Sequence, residues 1–234
     1  MQAKILLLIF IVIAVVNLTG VAFKLEWVIL ISKPLLMPTL LVWAIAQSHS
    51  QNITLSLSVF IALVFSFLGD TFLLFDADNE LFFLLGLGSF LVAQTAYAFT
   101  FFKDIHKPLP FSSAYLFAVI IFVLIYVVVF FYNLFTSLGG MTVPVFIYAL
   151  AVGAMGLMAA LRYKSVTVTS FYLVLVGATL FIISDTFIAL DKFLFNSQLP
   201  FASLIIMSTY ILAQFLIVQG LMKREEKQRE ENHE

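Results

Sequence analysis

The sequence predicts an all-α membrane protein of eight transmembrane helices arranged as two parallel four-helix halves. Hydrophobic residues make up 63% of the 234 positions and charged residues 11%, with a mean hydropathy of +1.12; soluble domains carry about 25% charged residues. Charge, Asn, Gly and Pro divide the chain into eight apolar stretches, each near the roughly 20 residues that span a bilayer. The third observation is internal repetition. Gly69-Asp70-Thr71-Phe72 and Ser184-Asp185-Thr186-Phe187 place an aspartate in the same setting 115 residues apart, and a Thr-Ala-Tyr97 step is matched by Ser-Thr-Tyr210, 113 residues apart.

The expected spans are residues 4–23, 28–47, 53–76, 80–102, 111–132, 141–161, 166–190 and 199–221. None shows the alternation of barrel strands, so helices are expected throughout. The first run is long and lacks a clean small-residue cleavage site, which suits a retained helix better than a signal peptide. The second contains Lys33-Pro34-Leu35-Leu36-Met37-Pro38; two residues without amide hydrogens predict a bent or broken helix. Spans three and seven carry Asp70 and Asp185, span four Gln94 and Tyr97, and span six Pro144 and Tyr148. Four spans per half is an even number, so the halves run parallel, as in parallel-repeat transporters. Residues 1–221 form the transmembrane domain and 222–234 a charged cytoplasmic tail, solvated or disordered.

Loop charges set the orientation. Lys4, Lys103, Lys107, Arg162, Lys164, Lys223, Arg224, Lys227 and Arg229 fall on one side, and only Lys24 and Lys192 on the other. A nine-to-two bias places both termini in the cytoplasm. The opposite side is acidic, with Glu26, Asp76, Asp78, Glu80 and Asp191; Asp76, Asp78, Glu80 and Asp191 are expected to be solvated loop charges, with attraction of a cationic group as the alternative. Cysteine is absent, excluding disulfides and thiolate metal sites. Short loops and the short tail suit a bacterial inner membrane. The expected partners are the bilayer and a membrane substrate, with no nucleic acid; no oligomeric state is indicated.

An aspartate at the bilayer centre costs about 2.5 to 3.5 kcal/mol on insertion scales, so a twice-repeated one points to function. On these spans Asp70 lies about six residues, or about 9 Å, inside the non-cytoplasmic boundary. Asp185 and Lys33 fall at similar depths, so one cavity can collect all three. Lys33 can also snorkel to the interface. Tyr148 lies one turn deeper than Pro144 and can reach the same cavity.

Lys33-Pro34, Gly69-Asp70, Tyr148 and Ser184-Asp185-Thr186, in this order within eight spans, resemble the YhhN/TMEM86 family of lysoplasmalogenases. The resemblance covers almost the whole chain up to the tail. It implies hydrolysis of a lysoplasmalogen's vinyl ether bond, releasing a fatty aldehyde and glycerophosphoethanolamine or glycerophosphocholine. One departure is Ala93-Gln94, followed by Tyr97, where the family often has a histidine; Gln94 cannot take over proton transfer.

Vinyl ether cleavage needs an acid to protonate the terminal alkene carbon and a group to stabilise the oxocarbenium ion before water captures it. Burial favours a neutral carboxyl and a nearby cation an ionised one, so two carboxyls can divide these roles. The expected catalytic residues are therefore Asp70 and Asp185. Lys33 and Tyr148 are expected to tune them or bind substrate, with Lys33 holding one aspartate charged or contacting the lipid phosphate. Thr71, Ser184, Thr186, Gln94, Tyr97 and Tyr210 are secondary candidates. No cofactor or metal is expected, since His49, His106 and His233 all fall in cytoplasmic loops or the tail. The competing function is a proton- or cation-coupled transporter using the paired aspartates and a broken helix. A third alternative makes the aspartates interhelical glue, worth about 0.6 kcal/mol each.

Overall fold

In the computed structural model, residues 2–76, 79–105, 109 and 111–224 are described. The expectations for Asp78, His106, Lys107, Lys227, Arg229, His233 and most of the tail lie outside these. Eight α-helices follow one another: α1 Gln2–Ala22, α2 Glu26–Gln51, α3 Leu57–Phe72, α4 Glu80–Lys103, α5 Ser113–Leu134, α6 Thr142–Leu161, α7 Val168–Ala189 and α8 Ala202–Met222. Seven are long and apolar enough to cross a membrane, and the chain is an all-α membrane protein.

Local chemistry sets the helix boundaries. The side chains of Asn79, Ser112 and Thr167 accept amide hydrogen bonds at the starts of α4, α5 and α7, offsetting donors that have no intrahelical partner. Asn52 closes α2 in the left-handed conformation, at φ 58°, which asparagine tolerates better than most residues. Two 3₁₀ turns, Phe135–Ser137 and Gly139–Met141, join α5 to α6, and a π turn, Leu190–Leu194, extends α7.

Three expectations change. The third helix is 16 residues long, about 24 Å, rather than filling 53–76. Its polar flanks explain this: Asn52 turns the chain before it, Ser56 is extended, and the chain leaves α-helix in turns before Asp76. Secondly, of the bent or broken α2 expected, the break is ruled out, since helix runs without interruption through Pro34 and Pro38. The prolines are one turn apart and their missing amides fall on one face. Hydroxyls add hydrogen bonds to nearby carbonyls, from Ser32 to Val28 and from Thr39 to Leu35 and Leu36. Thirdly, His49 belongs to the last turn of α2 rather than to a loop.

Helices pack by close backbone approach at small residues, the usual means in lipid. On α7, a Cβ at Gly177 would stand 3.0 Å from the Ala213 carbonyl oxygen; on α8, one at Gly220 would stand 3.0 Å from the Val174 nitrogen. Gly69 of α3 receives the Phe90 ring and Gly86 of α4 receives Leu73. The hairpins α1–α2, α3–α4 and α7–α8 are the most extensive pairs, and α4 against α6 joins the halves. By contrast α5 buries only Val127 and Leu134. Its Phe122, Val128 and Tyr132 are exposed, on a surface suited to lipid.

At the basic end the Arg162 side chain is 0% exposed, and its Nε donates to Asp104 Oδ2 at 2.9 Å. The same guanidinium donates to the Ser170 hydroxyl and carbonyl. Arg224 donates to the other Asp104 oxygen at 3.0 Å. One carboxylate thereby ties the ends of α4, α6 and α8, while Arg162 adds the start of α7. Breaking a buried pair from one side leaves a charge without compensation and costs about 3–5 kcal/mol. Asp104→Ala should therefore lower the unfolding midpoint in detergent markedly, and adding Arg162→Met should recover most of the loss.

Candidate active site

The duplicated aspartates occupy different surroundings. Asp70 lies in the last turn of α3, two residues before its end, nearer the helix terminus than the expected span placed it. It is 2% exposed and accepts a hydrogen bond from the Tyr210 hydroxyl of α8 at 2.7 Å. Phe90 and Phe181 both meet the Tyr210 ring at nearly right angles. One turn beyond Tyr210, Gln214 accepts from the Tyr97 hydroxyl at 2.6 Å and donates to Ser66 at 2.9 Å. Asp70 is thus next to a buried polar network that joins α3, α4 and α8. Half-buried Lys33 on α2 lies within electrostatic reach of it.

Asp185 has its own partners. Its Oδ2 accepts from the Tyr148 hydroxyl at 2.7 Å and from Gln94 Nε2 at 3.4 Å, bringing together α4, α6 and α7. Gln94 is completely buried, and among the described residues its Oε1 has no hydrogen-bond partner. A buried acceptor of this kind beside a carboxyl has capacity for one more donor. The two aspartates are not hydrogen-bonded to one another; the aromatic group of Phe90, Phe181 and Tyr210 packs beside Asp70.

A narrow pocket of about 40 Å³ opens on Asp185, smaller than the roughly 300–1,000 Å³ usual for small-molecule sites. Asp185, Tyr148 and Tyr126 bring polar groups to it, and Leu73, Phe83, Phe90, Phe130 and Val145 are among its apolar walls. Asp70 and Lys33 do not line it. Tyr126, on α5, shares a hydrogen bond with Thr186 at 2.9 Å. It also lines a second groove, with Phe122, Gly153 and Ile182.

The secondary candidates separate accordingly. Thr186 reaches the pocket through Tyr126 and also donates to the Ile182 carbonyl. Thr71 donates to the Phe67 carbonyl of its own helix, and Ser184 to the Ile206 carbonyl of α8. Tyr97 belongs with Gln214, not with Asp185. Sequence reasoning missed Tyr126, Phe90, Ser66 and Gln214. For Gln214 there was a signal, an amide one turn after the repeated Tyr210; Tyr126 had only its phenol in an apolar span. The acidic end is also less solvated than expected: Asp76 pairs with Lys192 at 2.8 Å, and Asp191 accepts from the Leu199 amide at 2.9 Å.

Comparison with known proteins finds relatives that match most of the chain. The lysoplasmalogenase TMEM86A of Bos taurus is 33% identical over 208 residues, covering 86% of this chain and 81% of the relative. The human lysoplasmalogenase TMEM86A is 31% identical over 211 residues, again covering 86% of this chain and 81% of the relative. No solved structure matches. A sequence model of the YhhN family matches residues 28–221, from α2 to the end of α8. The chain belongs to the YhhN family.

Proposed function

We propose that this protein hydrolyses the vinyl ether bond of lysoplasmalogens, releasing a fatty aldehyde and glycerophosphoethanolamine or glycerophosphocholine. The observation that carries the proposal is a half-buried carboxyl, held by two donors, at the wall of an otherwise apolar pocket. The named activity of the mammalian relatives supports the same chemistry.

In this mechanism Asp185 is the acid. Both donors address Oδ2, leaving Oδ1 to carry the proton. Oδ1 protonates the alkene carbon that bears the alkyl chain, and the π electrons form the new C–H bond. The other alkene carbon becomes an oxocarbenium ion, while negative charge falls on Oδ2 against the Tyr148 hydroxyl and Gln94 amide. Donors already in place where charge develops need no reorganisation. Water attacks the cation and gives a proton to the Asp185 carboxylate. The resulting hemiacetal collapses to aldehyde and alcohol as its hydroxyl proton passes to the departing glycerol oxygen. Apolar walls shield the cation from other nucleophiles, and the groove beyond Tyr126 takes the rest of the alkenyl chain.

Asp70 has a different part. Its carboxylate and Lys33 form a charged support behind the pocket, and its contact with Tyr210 positions α8 and the Phe90 wall. The charge bias supports an orientation with cytoplasmic termini and the pocket toward the opposite surface. Transport is less well supported, because uninterrupted α2 removes the broken helix that favoured it.

General acid catalysis contributes about 10²–10⁴-fold. In an aldehyde-release assay with a lysoplasmalogen and purified, folded protein, Asp185→Asn should lose at least about 100-fold in kcat. Asp70→Asn still offers Tyr210 an acceptor and loses only the added strength of a hydrogen bond to a charged group, so the loss should stay within about tenfold. Equal losses in both variants would overturn the division of roles; no aldehyde from the wild type would overturn the activity. A chemical test is independent of turnover. A hydrophobic carbodiimide should modify Asp185 and spare Asp70, as read by peptide mass spectrometry, and the reverse pattern would place the reacting carboxyl on α3.

A further inference from the structure

At the acidic end the π turn Leu190–Leu194 gives two neighbouring residues different tasks. Phe193 lines the Asp185 pocket and meets Phe83, another wall residue, edge-on at 5.5 Å between centroids. The Lys192 ammonium lies 4.4 Å from the centroid of the same Phe83 ring and 2.8 Å from Asp76 Oδ2. A cation, an anion and an aromatic wall of the pocket therefore stand together at its rim. π turns occur frequently at functional sites.

Stability alone explains this pair poorly. The Lys192 and Asp76 side chains are 26% and 32% exposed, and exposed ion pairs contribute only about 0–1 kcal/mol. Such a pair is readily exchanged for another partner. Its position relative to the carboxyl is informative too: Lys192 follows Asp185 by seven residues, about 10 Å along a helix. A glycerol phosphate together with the reach of a lysine side chain covers that span.

We infer that Lys192 and Asp76 form the binding site for a zwitterionic phosphate–ammonium headgroup. The inference rests on the proposal that vinyl ether cleavage occurs at Asp185. Lys192 exchanges an Asp76 oxygen for a phosphate oxygen, and Asp76, released from the pair, faces the ammonium of ethanolamine or choline. The pair and the headgroup are each neutral overall, so the exchange leaves no net charge. A purely anionic headgroup would leave Asp76 facing a second negative charge, and the site selects against it. Lys33 lies outside the pocket, on the Asp70 side, which makes Lys192 the phosphate contact.

The experiment compares a 1-alkenyl-glycerophosphoethanolamine with a 1-alkenylglycerol, which has the same vinyl ether and no phosphate. Lys192→Gln should raise KM for the phospholipid about tenfold or more, the loss of a hydrogen bond to a charged group, with kcat little changed and no effect on the 1-alkenylglycerol. Lys192→Arg should restore the wild-type KM, and Asp76→Asn should improve use of a 1-alkenylglycerol phosphate. Equal effects of Lys192→Gln on both substrates, or none on either, would overturn the inference; equal effects with a lowered unfolding midpoint would make the pair a structural tie. A second measurement does not need turnover. The uncleavable 1-alkyl-glycerophosphoethanolamine should raise the unfolding midpoint of the wild type and not of Lys192→Gln. If it does so while the wild type cleaves no vinyl ether, the headgroup site stands and the reaction falls; if it stabilises both proteins alike, the headgroup site falls.

Discussion

A carboxyl placed among apolar helices must receive hydrogen bonds from other helices, because lipid supplies no donors. That requirement organises the molecule. Tyr210 of α8 meets Asp70 of α3, and Tyr148 of α6 with Gln94 of α4 meets Asp185 of α7. In both cases a donor from one half reaches the aspartate of the other. The close glycine crossings of α3–α4 and α7–α8 bring these donors within reach. The polar groups therefore determine which helices meet as much as the apolar surface does.

Local sequence similarity does not carry through to equivalent environments. Tyr97 and Tyr210 match in position, yet one donates to Gln214 and the other to Asp70. The aspartates match as well, and only Asp185 lines the pocket. The two motifs are similar frames; the single polar residues on neighbouring helices make them unequal. Gln94 and Gln214 have this effect, each serving a different half of the interior.

Much of the fold was legible because spanning length and charge are one-dimensional quantities. The eight helices and the placement of the aspartates near helix ends could be read from spacing and depth. Helix ends were harder: α3 stops at Phe72 because the polar residues on both sides favour turns, whereas hydropathy alone extends it. The prolines do not break α2, where local steric cost is outweighed by the packing of a long helix. The pairing of Asp70 with Tyr210 rather than with Asp185 was beyond reach of spacing arguments, because a shared depth does not specify a shared azimuth around the bundle. Tyr126 was hidden for the same reason.

The sparse packing of α5 gives the pocket one weakly held wall. This helix contributes Tyr126 and Phe130 to the pocket while burying only Val127 and Leu134, so its displacement would uncover little of the core. Under the proposed reaction two products of opposite solubility would have separate ways out: a hydrophobic aldehyde sideways between helices into the membrane, and a water-soluble glycerophospho compound past the rim. Under the proposed reaction the bilayer is a reservoir on one flank and water on the other, and the protein acts as a partition between phases as well as a catalyst.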